Sequence, residues 1–223
     1  MQRGPFIAFL VALAAFLLFT CSVKCYDSAA IGPDSSVVGY SALNGSFRQA
    51  TTAFSGKDRT AYALSKYLFL IALATAPFYA LIGLKQLTRR FRFGDISPQI
   101  WMLAAGYAVI AAVYCIFEVC IINYRPILEA DGTLEASYPS SHTFIAITLL
   151  GMSAMSYRSL FGKWKTPVTI AHIVVAAAIV IGRALSGVHW LTDIIGGILL
   201  AATLLFAFDS IKKWQPRQDS NLD

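Results

Sequence analysis

Residues 139–157 read PSSHTFIAITLLGMSAMSY, a polar cluster that ends in His142 and continues into an apolar run without a charged residue. Further charge-free runs accompany it, and the full set covers residues 5–23, 67–84, 96–117, 143–157, 166–182 and 194–208. A helix that crosses the hydrocarbon core of a bilayer needs about 20 apolar residues. The pattern therefore predicts an all-α bundle of six transmembrane helices, in which the flanking motifs lengthen the short fourth and sixth runs.

The composition favours a membrane protein of one domain. Of the 223 residues, 57% are hydrophobic and 13% are charged, and the mean hydropathy is +0.62, whereas an ordinary soluble domain has roughly 25% charged residues. No repeat or linker divides residues 1–223, which predicts a single integral membrane domain. Within it, residues 1–23 form the first span or a secretory signal, residues 24–66 form an outer loop that is either a lid on the membrane or a plain connector, and residues 118–193 carry the polar motifs.

Lysine and arginine residues predict the orientation, because short loops rich in them stay on the cytoplasmic side. They concentrate after the second run, after the fourth run and in the C-terminal tail, as Lys85, Arg89, Arg90, Arg92, Arg158, Lys163, Lys165, Lys212, Lys213 and Arg217. Both termini are then cytoplasmic, and the connections that carry the polar motifs face the outside of the cell membrane. The net charge of +6 is explained by this topology and by contact with anionic lipids of the bilayer, and no nucleic-acid partner is expected.

Two of the polar motifs have the chemistry of phosphate recognition. The first is Arg125-Pro126, and the planar guanidinium of an arginine can bind two phosphate oxygens together. The second is Pro139-Ser140-Ser141-His142. Ser140 and Ser141 can cap the fourth transmembrane helix, whose first N–H groups form an anion site, and His142 can then reach the oxygen of a leaving group.

The third motif joins Arg183 with His189 and Asp193. His189 and Asp193 are four residues apart and share one face if both are helical, so the carboxylate is expected to hold one ring nitrogen and to leave the other free. Such an imidazole can attack phosphorus and form a phosphohistidine, although a His and Asp pair at this spacing can also be structural. Arg183 favours the catalytic interpretation. His172 lies away from the motifs and is expected to pack within a helix.

In order and spacing these motifs resemble the signature of the type 2 phosphatidic acid phosphatase superfamily, which is related to the vanadium haloperoxidases. That signature is Lys, six residues, Arg-Pro; then Pro-Ser-Gly-His; then Ser-Arg, five residues, His, three residues, Asp. The resemblance covers roughly the C-terminal half of the chain and implies a six-span lipid phosphatase that needs no metal or other cofactor. It implies His189 as nucleophile, Asp193 as its orienting partner, His142 as general acid, and a phosphate-binding set of Arg125, Arg183, Ser140 and Ser141.

The chain departs from the signature at three positions. Ser141 stands where the signature has Gly, and Gly182 stands where it has Ser; both changes are mild, because a backbone N–H or a neighbouring hydroxyl can still donate. Glu118 stands at the position of the phosphate-binding Lys, where a carboxylate would repel a phosphate dianion. We expect Glu118 to turn away and pair with Arg125 or Arg183. The alternatives are a cationic lipid headgroup, weakened catalysis, or a cation from the outer loop, namely Lys24, Lys57, Arg59 or Lys66.

The sequence therefore predicts hydrolysis of a phosphomonoester or diphosphate carried by a lipid, on the extracytoplasmic side of the cell membrane. One alternative is a lipid phosphotransferase that uses the same His189. The other is a catalytically weakened relative that binds lipid without turnover. The identity of the lipid and the oligomeric state do not follow from the sequence.

Overall fold

The computed structural model describes residues 3–54, 56, 59–90, 92–161 and 165–214. Over these residues the α-helices are α1 (Arg3–Cys25), α2 (Ser41–Thr51), α3 (Thr60–Arg90), α4 (Pro98–Val119), α5 (Ser141–Phe161), α6 (Lys165–Leu185) and α7 (Leu191–Trp214). Single turns of 3-10 helix lie at Pro33–Ser35, Thr52–Phe54 and Phe93–Asp95. Of the basic residues in the predicted loops and tail, Lys57, Lys163 and Arg217 lie outside the described residues.

Among the described residues, five helices are long and apolar enough to cross a membrane, and the chain is a multi-pass membrane protein. The five segments are Arg3–Cys25, Thr60–Thr88, Pro98–Val119, Lys165–Leu185 and Leu191–Lys212. The predicted fourth span corresponds to α5, which has 21 residues but is not among the five apolar segments found in the described chain. The count of six spans therefore stays a prediction.

The position of α5 explains its more polar sequence. It packs against α3, α4, α6 and α7, so its neighbours shield most of its surface from lipid. Its buried side chains include Thr143, Thr148, Ser153 and Ser156, and polar groups at membrane depth are tolerated when they face the interior of a bundle. The lower hydropathy of α5 is thus a property of a central helix.

The first helix belongs to the packed core. It lies against α7, and its side chains Phe16 and Val23 are buried. Near its end, the hydroxyl groups of Thr20 and Tyr138 are 2.7 Å apart and share a hydrogen bond. This contact links α1 to the segment that leads into α5.

The predicted outer loop contains more structure than expected. It includes α2, and α3 begins at Thr60, before the predicted start of the second span at residue 67. Asn44 of α2 is fully buried, accepts a hydrogen bond from the backbone N–H of Thr192 at 3.2 Å and donates to the Thr192 hydroxyl at 3.0 Å. α2 is therefore docked on the first turn of α7. The two roles predicted from the sequence for this loop, a lid on the membrane or a plain connector, do not include this contact.

The polar motifs and the basic loops lie at opposite ends of the bundle. α4 and α6 end, and α5 and α7 begin, at the end that carries the polar motifs. At the other end, the ammonium group of Lys212 in α7 donates to the carbonyl of Met155 in α5. The helix ends with the basic residues therefore come together away from the polar site.

Candidate active site

Asp193, in the first turn of α7, is a fully buried carboxylate held by three hydrogen bonds from two loops. Its Oδ2 accepts from the Ser137 hydroxyl at 2.5 Å and from the backbone N–H of Trp190 at 2.9 Å. Its Oδ1 accepts from the side-chain amide of Asn123 at 3.3 Å. A buried charged group is tolerated when hydrogen bonds replace its water, so these donors fix the position of the carboxylate.

His189 lies in the connection between α6 and α7, and its side chain is buried. Its Nδ1 is 3.0 Å from Ser137 Oγ, and its Nε2 is 3.0 Å from Arg183 Nη2. The distance from His189 Nδ1 to Asp193 Oδ2 is 4.0 Å, which is too long for a hydrogen bond.

The expected direct contact between Asp193 and the His189 ring is therefore wrong, and the ring nitrogen expected to be free is bonded to Arg183. The reason is that α7 begins at Leu191, so His189 is not yet helical. The rule that residues four apart share a helical face does not apply to this pair. The hydroxyl of Ser137 fills the space between the two side chains.

Arg183, in the last turn of α6, is 1% exposed. Its guanidinium lies over the ring of Tyr62 in α3, 5.3 Å from the ring centroid. This contact needs a close approach of α3 and α6, which Gly182 permits, because a Cβ there would lie 2.8 Å from Ser65 Cβ and 3.0 Å from the Ala61 carbonyl oxygen. A serine at position 182, as in the family signature, would collide with α3 in this arrangement.

Arg125 lies in the loop between α4 and α5 and is 9% exposed. Its Nη2 is 2.8 Å from Glu135 Oε1, and its Nη1 is 3.6 Å from Glu129 Oε1. The loop folds back on itself, since the N–H of Arg125 donates to the Glu135 carbonyl at 3.0 Å, and this turn brings both carboxylates within reach. Among the described residues, the ion pairs of Arg125 are thus with these two residues, so the expected pairing with Glu118 is wrong.

Glu118 lies in the last turn of α4 and is exposed. It lines a small pocket together with Ser137, Tyr138 and Ser141. The residue at the position of the family lysine is therefore adjacent to the serines of the candidate site.

Ser140 connects α5 to α7 at the site. Its carbonyl accepts from the N–H of Phe144 at 3.0 Å, and its own N–H donates to the backbone carbonyl of Asp193 at 3.0 Å. Its hydroxyl accepts from the Thr143 hydroxyl at 3.0 Å. The backbone N–H of Ser140 is therefore engaged within the protein, and the anion donors of this helix start begin at Ser141, since the first N–H groups of a helix have no partner within it.

His142, in the first turn of α5, stacks on Phe69 of α3 with the ring centroids 4.3 Å apart. Its Nδ1 is buried without a hydrogen-bond partner among the described residues, and the same holds for Arg125 Nε and Arg183 Nε. Buried polar groups are nearly always hydrogen-bonded. Three such nitrogen atoms therefore indicate a site that is built for an acceptor other than the protein itself.

The two guanidinium groups act on both imidazoles. The charges of Arg125 and Arg183 each reach the ring of His142 and the ring of His189, so the four side chains lie together. Burial first, and then these two positive charges, hold the pKa of His189 well below its ordinary value. His189 is therefore neutral at pH 7, the state in which one ring nitrogen keeps a lone pair.

One face of α3 borders the site. Tyr62 contacts Arg183 and Phe69 contacts His142, and Lys66 lies between them at helical spacing, so the three residues form one stripe. The positive charge of Lys66 also acts on the ring of His142. Lys66 is exposed and lies on the face of α3 that borders the candidate site, so a cation from Lys66 stays one of the predicted alternatives to the family lysine.

The sequence pattern does not indicate several residues that hold the site together. Asn123 and Ser137 bind Asp193, while Tyr62 and Phe69 contact Arg183 and His142. The sequence indicates only two of them, and only by their closeness to a motif: Asn123 is two residues before Arg125, and Ser137 is two residues before Pro139. Polar residues in a loop and aromatic residues in a membrane helix are too common for that signal to identify them.

Fold and geometry together define a class of protein: a helical membrane protein with two histidines and two buried arginines grouped at one end of its bundle. The model of the PAP2 superfamily matches residues 63–217, a range that contains every candidate site residue. The chain belongs to the PAP2 superfamily, and the predicted resemblance is confirmed. No curated protein matches the chain.

A solved structure shares the fold. It is the crystal structure of the first transmembrane PAP2 type phosphatidylglycerolphosphate phosphatase from Bacillus subtilis, which is 18% identical to this chain, with a TM-score of 0.65. The match covers 94% of this chain and 98% of the Bacillus subtilis chain. The expected helical membrane fold is therefore found over nearly the full length of both chains.

Proposed function

We propose that this protein is a lipid phosphatase, which hydrolyses a phosphomonoester or diphosphate on a membrane lipid through a phosphohistidine at His189. The proposal is carried by the buried nitrogen atoms of His142, Arg125 and Arg183 that have no partner among the described residues. A phosphoryl group supplies the acceptor oxygens that two guanidinium groups can bind. The superfamily, and a solved relative described as a phosphatidylglycerolphosphate phosphatase, support a lipid phosphate as substrate.

In the first step, His189 is the nucleophile. Its Nε2 forms a bond to phosphorus while the bond between phosphorus and the lipid oxygen breaks. Arg125, Arg183 and the N–H groups that begin at Ser141 bind the nonbridging oxygens and stabilise the charge of the transition state. His142 gives its proton to the departing oxygen, which belongs to the lipid alcohol for a phosphomonoester and to the lipid monophosphate for a diphosphate.

The environment of His142 determines when it carries this proton. Burial first, and then the charges of Arg183, Arg125 and Lys66, oppose protonation of the ring, and a phosphate dianion bound between the arginines offsets two positive charges. Protonation of His142 is therefore coupled to substrate binding. In the second step His142 accepts a proton from water, the water oxygen attacks phosphorus, the bond to His189 breaks, and inorganic phosphate leaves. Neither step requires a metal ion.

An apolar groove supports a lipid as the carrier of the phosphate. The groove has a volume of about 650 Å³ and lies between α5, α6 and α7. Its lining includes Ile147, Val180 and Ile198, each within five residues of a site residue on the same helix, or about 7 Å along the axis. We place the acyl or prenyl chain in this groove and the phosphate at the polar end of the bundle, on the extracytoplasmic side of the membrane.

The proposal is tested by phosphate release from the purified full-length chain in detergent, with EDTA present. Phosphatidic acid, phosphatidylglycerol phosphate and a polyprenyl diphosphate serve as substrates, and we expect at least one of them to release inorganic phosphate. Release that appears only with an added acceptor alcohol would identify a phosphotransferase. Absence of turnover on all three lipids, with and without acceptor, would reject both enzymatic functions.

A catalytically weakened lipid-binding relative is the second candidate function. Three carboxylates favour it. Glu118 is adjacent to the serines of the site, and Glu129 and Glu135 form ion pairs with Arg125. These negative charges compete with a phosphate dianion. This candidate predicts binding of phosphatidic acid vesicles without release of phosphate.

A further inference from the structure

Ser137 occupies the space between the carboxylate and the imidazole that the family signature links directly. Its hydroxyl oxygen is 2.5 Å from Asp193 Oδ2 and 3.0 Å from His189 Nδ1. The side chain is 3% exposed, so no bulk water competes for these bonds. In the described part of this site, the hydrogen-bonded route between Asp193 and His189 therefore runs through a serine hydroxyl, while their direct approach is 4.0 Å.

The hydrogen atoms in this chain of three groups have one consistent arrangement. An ionised carboxylate only accepts, and it is already bonded to the Trp190 N–H and the Asn123 amide, so Ser137 donates its single hydrogen to Asp193. The Ser137 hydroxyl oxygen then accepts from the N–H at His189 Nδ1, and the Ser137 backbone also favours a proton on this ring. A neutral imidazole with a hydrogen on Nδ1 has its lone pair on Nε2, the atom that faces Arg183.

The backbone fixes Ser137 in this position. Its N–H donates to the Asn123 carbonyl at 2.9 Å, and the neighbouring residues Tyr124 and Ala136 form an antiparallel bridge. The two arms of the loop between α4 and α5 are therefore held side by side. One arm places Asn123 next to Asp193 Oδ1, and the other places Ser137 next to Asp193 Oδ2.

We propose that Ser137 is a positioning residue that connects Asp193 to His189 and sets the His189 tautomer whose Nε2 lone pair faces the phosphoryl group. This inference rests on the proposed function, in which Nε2 is the attacking atom. When Nε2 bonds to phosphorus, the ring becomes cationic, and Ser137 transmits the stabilising field of the Asp193 carboxylate to it through two hydrogen bonds. Ser137 itself forms no bond to substrate and exchanges no proton in the reaction.

The test is a double-mutant cycle between Ser137→Ala and Asp193→Asn, measured as phosphate release from the lipid that the wild-type chain hydrolyses best. We expect Ser137→Ala to lower kcat about 10- to 100-fold, the equivalent of one buried hydrogen bond to a charged group, with KM within about twofold because the phosphate ligands are intact. Loss in the double variant should equal that of the more damaged single variant. Residues that act through one another are non-additive in this way.

Two further variants separate positioning from folding. Ser137→Thr keeps the hydroxyl and should restore most of kcat, whereas Ser156→Ala removes a buried serine of α5 at the far end of the helix and should leave kcat unchanged. Thermal unfolding of each variant is measured alongside, and if Ser137→Ala does not fold, Ser137→Cys takes its place in the cycle. Additive losses, or a folded Ser137→Thr as slow as Ser137→Ala, would overturn the positioning role. An inactive wild-type chain would instead reject the proposed function.

Discussion

Replacement of His189 by glutamine separates the chemical role of the imidazole from its role in stability. The ring makes two buried hydrogen bonds, to Ser137 and to Arg183. Alanine would leave both partners without the ring, and an unsatisfied buried donor or acceptor costs about 1–3 kcal/mol, more when it is charged. The total of roughly 2–6 kcal/mol approaches the whole stability of many folded domains, about 5–15 kcal/mol. The alanine variant is therefore expected to lose both activity and fold.

The amide of His189→Gln can accept from Arg183, so we expect a loss of stability of only about 1 kcal/mol. Glutamine cannot form the phosphohistidine, and kcat should fall at least about 10⁴-fold, as when a nucleophile of a hydrolase is removed. The assay combines phosphate release with the unfolding midpoint in the same detergent. Phosphate release within tenfold of the wild-type rate would refute His189 as nucleophile.

The matched control is His172→Gln. His172 is a half-buried histidine of α6 that also makes two hydrogen bonds, to the Val168 carbonyl and to the Ser153 hydroxyl. It lies away from the polar cluster and lines the apolar groove. The substitution should change stability by a similar amount and, because His172 faces the lipid chain and not the phosphate, should alter KM and leave kcat within about twofold. An equal fall of kcat in both variants would show that the effect comes from general damage to the bundle.

Glu118→Lys should raise kcat/KM for phosphorylated lipids several-fold, because it replaces a carboxylate next to the site by a cation; a fall would show that Glu118 has its own structural or recognition role. Lys66→Gln should raise KM about two- to fivefold, the range for an exposed charge. Lys85→Gln, at the other end of α3, is the control and should leave KM unchanged. Equal KM values for both variants would remove Lys66 from the site. The lowered pKa of His189 means that the unfolded chain binds the extra proton first, so the His189 contribution to stability should be present above about pH 6.5 and decline below it. Unfolding midpoints between pH 8 and 5 test this, since the decline should be smaller in His189→Gln.

The membrane fold could be read from the sequence because its cause is local. Charge-free runs identify the apolar helices whatever packs against them, whereas the orientation predicted from the basic residues stays a prediction. α5 shows the limit of this reasoning. It contacts four neighbouring helices and not mainly lipid, so its lower hydropathy cannot be interpreted without knowing those contacts. The same holds for α2, whose place on α7 depends on the hydrogen bonds of the buried Asn44 side chain.

The candidate site could be read only as a set of residues. The motifs name His189, Asp193, His142, Arg125 and Arg183, and the structure brings these side chains together. Their contacts did not follow, because spacing in sequence predicts contact only inside a regular helix. Between α6 and α7 the chain is irregular, and a hydroxyl from a loop that is distant in sequence lies where the carboxylate was expected.

The two arginines differ in how their charges are compensated, and this difference assigns their roles in phosphate binding. Arg125 is paired with Glu135 at 2.8 Å and with Glu129 at 3.6 Å, so a phosphate must exchange with carboxylates and gains only the difference between two ion pairs. Arg183 is 1% exposed, and its described contacts are the face of Tyr62 and a neutral imidazole nitrogen. Among the described residues Arg183 makes no ion pair, and the charge of Glu135 acts on it only as a minor influence. A buried charge without a paired counter-charge costs several kcal/mol, which a phosphate dianion offsets directly. Arg183 should therefore supply most of the affinity for the phosphate group. Arg125 exchanges its ion pair with Glu135 for one with the phosphate when the substrate binds.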